Sequence, residues 1–164
     1  MRLFARALLM GFAATAFAVP AAGQRTDDQI LPKSMELKRQ AEVLTSAGKL
    51  DQAEDVLEAA LAVDPRNRWA FVDLARVAEK QRLFGKAVRM SNKALQIEPN
   101  DVDAIAVQGE AMVELGATAR AHANLQKLQT ICPKGCPALT QLTTAISRGP
   151  SVAAAKPPPS PKSN

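Results

Sequence analysis

The chain has 164 residues, 47% of them hydrophobic, which is enough for one modest domain but not for two. Tyrosine is absent and tryptophan occurs once, so the composition suits Ala- and Leu-rich helices better than sheets, and we expect an all-α protein. Lys and Arg exceed Asp and Glu by 21 to 16, but no aromatic residues are interleaved with the basic ones, so we do not expect a nucleic-acid partner.

Residues 1–23 have the pattern of a secretory signal peptide, in which two arginines precede an uncharged run that ends in small residues. Cleavage after Ala18 or after Gly23 fits this pattern, and we favour Gly23 because a polar segment starts at Gln24. An uncleaved membrane anchor is the alternative, although the apolar run is short for a span. No cysteine lies near either cleavage site. We therefore expect a periplasmic or secreted protein without a lipid anchor and without a stable membrane span after cleavage.

Residues 24–33 are polar and contain Pro32, which disfavours helix in the residue before it, so we predict a linker there. From residue 34 onward the sequence repeats. Prolines recur every 34 residues, and alanines recur in the same register ahead of them. The positions are Pro65, Pro99 and Pro133, and Ala53, Ala87 and Ala121.

This period and pattern resemble the tetratricopeptide repeat, a helical hairpin that stacks into an array. The resemblance implies a right-handed superhelical array with repeats at 34–67, 68–101 and 102–135. In each repeat a large residue at position four should fill the gap between helices, and a small residue at position eight should let a neighbouring backbone approach. The two sets are Leu37, Phe71 and Ile105, and Ala41, Ala75 and Gly109.

A further helix at 136–148 should cap the array, because Leu139, Leu142 and Ile146 continue the register of a first helix. Residues 149–164 contain five prolines among Ala, Ser and Lys, and we predict an extended, solvated tail. A tail that touches cell-wall material or an anionic surface is the alternative reading.

Cys132 and Cys136 flank the turn into the predicted capping helix. An even number of cysteines in an exported protein favours a disulfide, and the spacing allows a bridge if the turn is tight. Two ligands are too few for a closed zinc site, and the single histidine, His122, is predicted to lie on an exposed helix surface. A thiol redox or metallochaperone role for the two cysteines remains the alternative.

No catalytic or phosphate-binding motif occurs in the sequence, so we expect neither an enzyme nor a bound cofactor. The resemblance instead implies a concave groove, lined by the first helix of each repeat, that binds a protein or peptide partner. Trp69 is the predicted anchor, because Phe71 already fills the aromatic core position; the alternative is that Trp69 packs between repeats. The candidate groove residues are Lys38, Glu42, Trp69, Val72, Arg76, Lys80, Glu110 and Glu114, with Glu79 and Asp103 also at groove positions.

One subclass of the family binds the C-terminal carboxylate of cytosolic chaperones through a lysine and asparagines. Only Lys38 matches that clamp here, and acidic residues such as Glu42 and Asp73 occupy other clamp positions. We therefore expect an exported, non-enzymatic scaffold that holds an extended or helical segment of a cell-envelope partner, one that carries an apolar anchor flanked by acidic residues. A structural assembly subunit that binds through its convex side is a further alternative.

Overall fold

The computed structural model describes residues 29–151. The predicted signal peptide, most of the predicted linker and residues 152–164 of the predicted tail lie outside this range. Seven α-helices and no strands occur within it, so the predicted all-α class is confirmed. The helices are α1 (Pro32–Ser46), α2 (Leu50–Val63), α3 (Arg68–Lys80), α4 (Phe84–Ile97), α5 (Val102–Glu114), α6 (Thr118–Ile131) and α7 (Pro137–Arg148).

The helices pack as three consecutive hairpins followed by a single helix. Helices α1 and α2, α3 and α4, and α5 and α6 pair with each other, while α7 packs on both α5 and α6. The first helix of each hairpin also contacts the first helix of the next one. Helix α1 contacts α3, α3 contacts α5, and α5 contacts α7. They therefore form one continuous side of the array, and the predicted superhelical arrangement of hairpins with a capping helix is confirmed.

The repeated alanines are part of the core. Ala53, Ala87 and Ala121 have no solvent-exposed surface, because a methyl side chain lets the paired helices approach closely. Helices α2, α4 and α6 each end two residues before a repeated proline, which cannot donate the next helical hydrogen bond. In the described residues no helix is long and apolar enough to cross a membrane.

The turn inside each hairpin requires a residue in the left-handed conformation. Gly48 and Gly116 adopt it with φ of 72° and 71°, as glycine does readily. The equivalent position of the middle hairpin is Arg82, with φ of 61°, and it is the one described non-glycine residue with positive φ. The middle hairpin therefore makes the same turn with a residue that is strained there.

The predicted linker was assigned too far toward the C-terminus, because its last residues belong to helix α1. Helix α1 begins at Pro32, because the fixed φ of proline suits the first turn of a helix. Ile30 is buried, and the backbone N–H of Leu31 donates to Oδ2 of Asp64 at 3.0 Å. Residues 30–33 are thus part of the folded array.

The start of the second repeat is fixed by a buried hydrogen-bond network. Asn67 caps α3, since its Oδ1 accepts from the N–H of Ala70 at 3.2 Å. Its Nδ2 donates to Oγ of Ser34 at 2.8 Å, and that hydroxyl donates to the carbonyl of Ala60 at 2.7 Å. Ser34 and Asn67 are completely buried, so this network joins the first hairpin to the second.

Candidate functional site

Three adjoining depressions run along the side of the array formed by the first helices. Their volumes are about 310, 340 and 290 Å³, and neighbouring depressions share Arg76, Lys80, Glu79 or Glu110 in their walls. We call this continuous surface the groove. Its charged walls are Glu42, Asp73, Arg76, Glu79, Lys80, Arg82, Glu110, Glu114 and Arg148.

Five of the eight candidate residues predicted from the sequence come together in the groove. They are Glu42, Arg76, Lys80, Glu110 and Glu114. Lys38 lies beside them, with its Nζ 2.5 Å from Oε1 of Glu42 and 3.2 Å from Oδ2 of Asp73. That these residues contact a partner remains a prediction.

Val72 is not a groove residue, and that prediction is wrong. Its side chain is only 3% exposed and belongs to the core cluster with Ala94 and Ala104. The first helix of the middle repeat is enclosed by its own partner helix α4 and by α5 of the next repeat. Position five of this repeat therefore faces neighbouring helices.

Trp69 does not lie at the centre of the groove. It lines a separate depression near the start of α3, together with residues of the loop between α4 and α5. The guanidinium carbon of Arg68 lies 4.3 Å from the centroid of the Trp69 ring, a cation–π contact that covers one ring face. Trp69 thus lies beside the loop between α4 and α5, outside the three depressions of the groove, and its contact with a partner remains a prediction.

Part of the groove charge is neutralised within the chain. Lys38 on α1 pairs with Asp73 on α3, and Arg76 on α3 pairs with Asp103 on α5 at 2.7 Å. Arg76 also lies 3.9 Å from Asp73. These contacts tie the three first helices together. The side chains of Lys38 and Asp73 are largely buried, whereas the half-exposed pair of Arg76 and Asp103 contributes little to stability.

Within the described residues, the side chains of Glu79, Glu110 and Lys80 form no ion pair or hydrogen bond, and all three line the groove. Burial raises the pKa of Glu79 to about 8, and the nearby negative charge of Glu110 adds to the effect while Arg76 opposes it. Burial likewise raises the pKa of Glu110, against the influence of Arg76 and Arg148. The raised pKa values show that both carboxyl groups are poorly solvated in the groove.

One end of the groove is lined by Ser151, from the chain segment that follows α7. The Oε1 of Glu114 accepts from Arg148 at 3.3 Å. Its Oε2 accepts from both the backbone N–H and the hydroxyl of Ser151, each at 2.8 Å. Glu114 is thus occupied by residues of its own chain.

Cys132 and Cys136 are joined in the structure, with their Cα atoms 5.9 Å apart, within the usual range for a disulfide. Cys136 packs against the apolar cluster that contains Leu128 and Leu142, which links the pair to the seating of α7. His122 is exposed on α6, and the described residues contain no group of three or more potential metal ligands. Whether the bond forms in the cell stays a prediction.

A partly buried polar network on the second and third repeats was not predicted from the sequence. Gln108 is only 6% exposed; its Nε2 donates to Asn92 at 2.7 Å, and its Oε1 accepts from Asn124 at 2.9 Å. The sequence contained a signal, because Gln108 stands where the repeat pattern has leucine, and Asn92 and Asn124 lie 16 residues to either side.

A chain of three stacked helical hairpins with a 34-residue period and a capping helix is a helical-repeat protein. Residues 35–77 match the profile of the family described as Tetratricopeptide repeat. The chain is therefore similar to this family over residues 35–77, and the described residues have the fold of a tetratricopeptide repeat array. No curated protein sequence matches it significantly.

Solved structures with the same fold are similar to this chain over most of their length. The TPR domain of Arabidopsis OM64 superposes with a TM-score of 0.65 at 16% identity, covering 71% of this chain and 95% of that one. The first TPR of Spaghetti (RPAP3), bound to the HSP90 peptide SRMEEVD, gives 0.64 at 22% identity, covering 71% and 91%. The C-terminal TPR-containing domain of a putative FK506-binding protein from Plasmodium falciparum gives 0.61 at 19% identity, covering 76% and 93%.

Proposed function

We propose that the chain is a non-enzymatic protein-interaction module that holds a peptide segment of a partner in the groove. The observation that carries this proposal is the position of Glu79, Glu110 and Lys80. All three line the groove between α3 and α5, and none is neutralised by an ion pair in the described residues. The peptide-bound domain of Spaghetti, which has the same fold, supports the proposal at the level of a peptide-binding class.

We do not expect this chain to bind the peptide that is bound in the Spaghetti structure. SRMEEVD is an acidic peptide, whereas here the lysine at the corresponding clamp position, Lys38, is already paired with Glu42 and Asp73. A peptide rich in carboxylates would meet the carboxylates of Glu42 and Asp73 and the half-buried Glu79. We infer a ligand with a basic or hydrogen-bond-donating side chain opposite Glu79 and Glu110, and with acceptors opposite Lys80. This replaces the expectation of acidic flanking residues.

We further propose that the partner is a cell-envelope protein and that the chain acts in the periplasm or outside the cell. The support for this is the signal-peptide pattern of residues 1–23. Detection of the mature N-terminus near Gln24 in secreted or periplasmic material tests the location. Recovery of the full-length chain from the cytosol contradicts it.

The peptide-binding function is tested by selecting ligands from a random peptide library displayed on phage and measuring their affinity by calorimetry. We expect selected peptides to lose about tenfold or more in affinity, roughly 1.4 kcal/mol, for Glu110→Gln and for Lys80→Glu. Lys93→Glu on the exposed face of α4 is the matched control and should bind as the parent does. Equal losses for Lys93→Glu and the groove variants contradict the groove as the binding site, and failure to select any ligand contradicts the function.

A further inference from the structure

Two neighbouring second helices, α2 and α4, carry charges of opposite sign. Helix α2 contains four acidic residues and no basic one, whereas α4 contains three basic residues and no acidic one. The two helices lie side by side, because Nζ of Lys86 on α4 pairs with Glu54 on α2 and lies 3.8 Å from Oε1 of Glu58. An acidic strip and a basic strip therefore adjoin each other on one surface.

Most of the charge on these strips is not neutralised by other described residues. Asp55, Arg89 and Lys93 are exposed and form no ion pair within residues 29–151. The side chain of Glu58 is 60% exposed. None of these four residues lines the groove. A molecule bound to the two strips would therefore leave the groove accessible.

The spacing of the acids on α2 matches the spacing of the bases on α4. In each set the first and last residues are seven positions apart, which is about two helical turns or roughly 10 Å, so each set lies on one face of its helix. Asp55 and Arg89 are 34 residues apart and so occupy the same position in successive repeats. The two sets are Asp51, Asp55 and Glu58, and Lys86, Arg89 and Lys93.

We propose that a second copy of the chain docks on this surface and forms a two-fold symmetric dimer. A half-turn about an axis that runs parallel to α2 and α4, midway between them, places the basic strip of each copy opposite the acidic strip of the other. Asp55 then faces Arg89 of the second copy, and Glu58 faces Lys93. The same pairs form in the opposite sense, so every contact occurs twice and the assembly closes at two copies.

A second copy fits this surface better than a polyanion does. A polyanion that crossed both helices would meet the four carboxylates of α2 beside the bases of α4, and that contact is repulsive. The pairing of Lys86 with Glu54 shows the same two strips already in contact within one chain. The proposed dimer repeats this contact between chains.

The association is tested by sedimentation velocity on the full chain over a range of protein concentrations. We expect a reversible monomer–dimer equilibrium at low ionic strength. Because exposed charges carry the contact, the dissociation constant should rise by about tenfold or more in high salt. A chain that stays monomeric at every concentration overturns the inference, and so do assemblies larger than the dimer, because the two-fold arrangement closes.

Charge reversal identifies the contact. Arg89→Glu combined with Lys93→Glu should weaken the dimer by about tenfold or more, and so should Asp55→Lys combined with Glu58→Lys, because like charges then face each other. An equimolar mixture of the two double variants should form a mixed dimer, since each strip again faces one of opposite sign. A mixture that remains monomeric overturns the inference. Circular dichroism of each variant checks that the helices are retained.

The matched control reverses two exposed bases on α6, where the proposed axis brings no acidic strip. Arg120→Glu combined with Lys127→Glu makes the same change in net charge, and this variant should dimerise as the parent does. An equal loss in the control overturns the inference, because net charge alone then governs association. A chain that stays monomeric but is retained on immobilised heparin through Arg89 and Lys93 also overturns it, and assigns the basic strip to an anionic partner.

This inference does not rest on the proposed function. Affinity of a selected peptide for the groove should be the same in the parent and in the monomeric Arg89→Glu, Lys93→Glu variant. Dimerisation without peptide binding therefore contradicts only the proposed function, and peptide binding by a strictly monomeric chain contradicts only the dimer.

Discussion

Leu142 of the capping helix occupies the space beside Gly109 of α5, so that a Cβ atom at position 109 would lie 2.6 Å from Cδ1 of Leu142. The small residue at this repeat position was expected to admit a neighbouring backbone, but here it admits a side chain. Leu142 is fully buried as a result and anchors α7 on the third hairpin.

We expect Gly109→Ala to destabilise the protein by about 1 kcal/mol, because an overpacking cost of ~1–3 kcal/mol exceeds the ~1 kcal/mol gain in helix propensity. Leu142→Ala should cost about 2–5 kcal/mol through the cavity it leaves. In that background Gly109→Ala should become stabilising, since the clash is gone. Urea denaturation of the four proteins of this cycle measures the coupling, and strictly additive effects would show that the two residues do not compete for space.

Asn67 is expected to be among the most sensitive polar residues. Asn67→Ala removes the cap of α3 and leaves the buried hydroxyl of Ser34 without its donor, at a combined cost of roughly 2–3 kcal/mol. Asn67→Ser keeps a capping hydroxyl and should lose less. The midpoint of urea unfolding distinguishes them, and equal losses would mean that the cap is not formed.

The helices were predictable because their signals are local and repeated. The 34-residue period, the buried alanines and the closing prolines each indicate a helical hairpin. Because all three signals occur in three successive repeats, they support the same prediction. The network of Ser34 and Asn67 is different, since it joins residues 33 apart whose side chains meet only after two hairpins stack. No local pattern encodes that contact.

The groove was predictable in outline but not residue by residue. Repeat positions place Arg76, Lys80 and Glu110 on one face, as the structure does. Repeat positions do not show which charged side chains are already paired or how deeply each is buried. Lys38 is paired with Asp73, whereas Glu79 has no ion pair in the described residues and has a pKa that burial raises. The repeat pattern also did not predict the contact of Arg68 with the Trp69 ring or the separate depression that Trp69 lines.

Replacing Arg82 with glycine is expected to stabilise the protein. It holds the left-handed conformation that Gly48 and Gly116 hold in the other hairpins. Arg82→Gly should raise the free energy of unfolding by about 0.5–1 kcal/mol, and Gly48→Ala should lower it by a similar amount, because a Cβ is disfavoured at positive φ. Thermal unfolding followed by circular dichroism measures both, and a lower melting temperature for Arg82→Gly would indicate that the arginine side chain contributes more than its backbone costs.

Reduction of the Cys132–Cys136 bond should act locally. The closed loop is very short, with a sequence separation of 4, so the loss should be at or below the low end of the usual ~2–4 kcal/mol. Hydrogen exchange should accelerate in α7, which packs beside Cys136, while α1–α4 remain protected. A thiol assay before reduction gives the control, since free thiols in protein purified under oxidising conditions would show that the bond is not native.

The stability of the protein should depend on pH through Glu79. Its pKa rises from an ordinary value of 4.5 to about 8 in the folded state, chiefly through burial and then through Glu110. Between about pH 4.5 and pH 8, the folded state therefore keeps a proton on Glu79 that the unfolded state has released. The stability contributed by this proton is complete below about pH 4.5 and is lost as the pH rises through about 8.

Glu79→Gln removes the charge that has to be buried at high pH. We expect this variant to be more stable than the parent at pH 9, and the difference to shrink steadily as the pH is lowered toward 5. Asp55→Asn, on the exposed face of α2, is the matched control and should show no such trend. Urea unfolding at a series of pH values gives the comparison. A difference between Glu79→Gln and the parent that stays constant across this range would mean that Glu79 is ionised normally in the groove, and that the carboxyl group is better solvated than its surroundings on α3 and α5 imply.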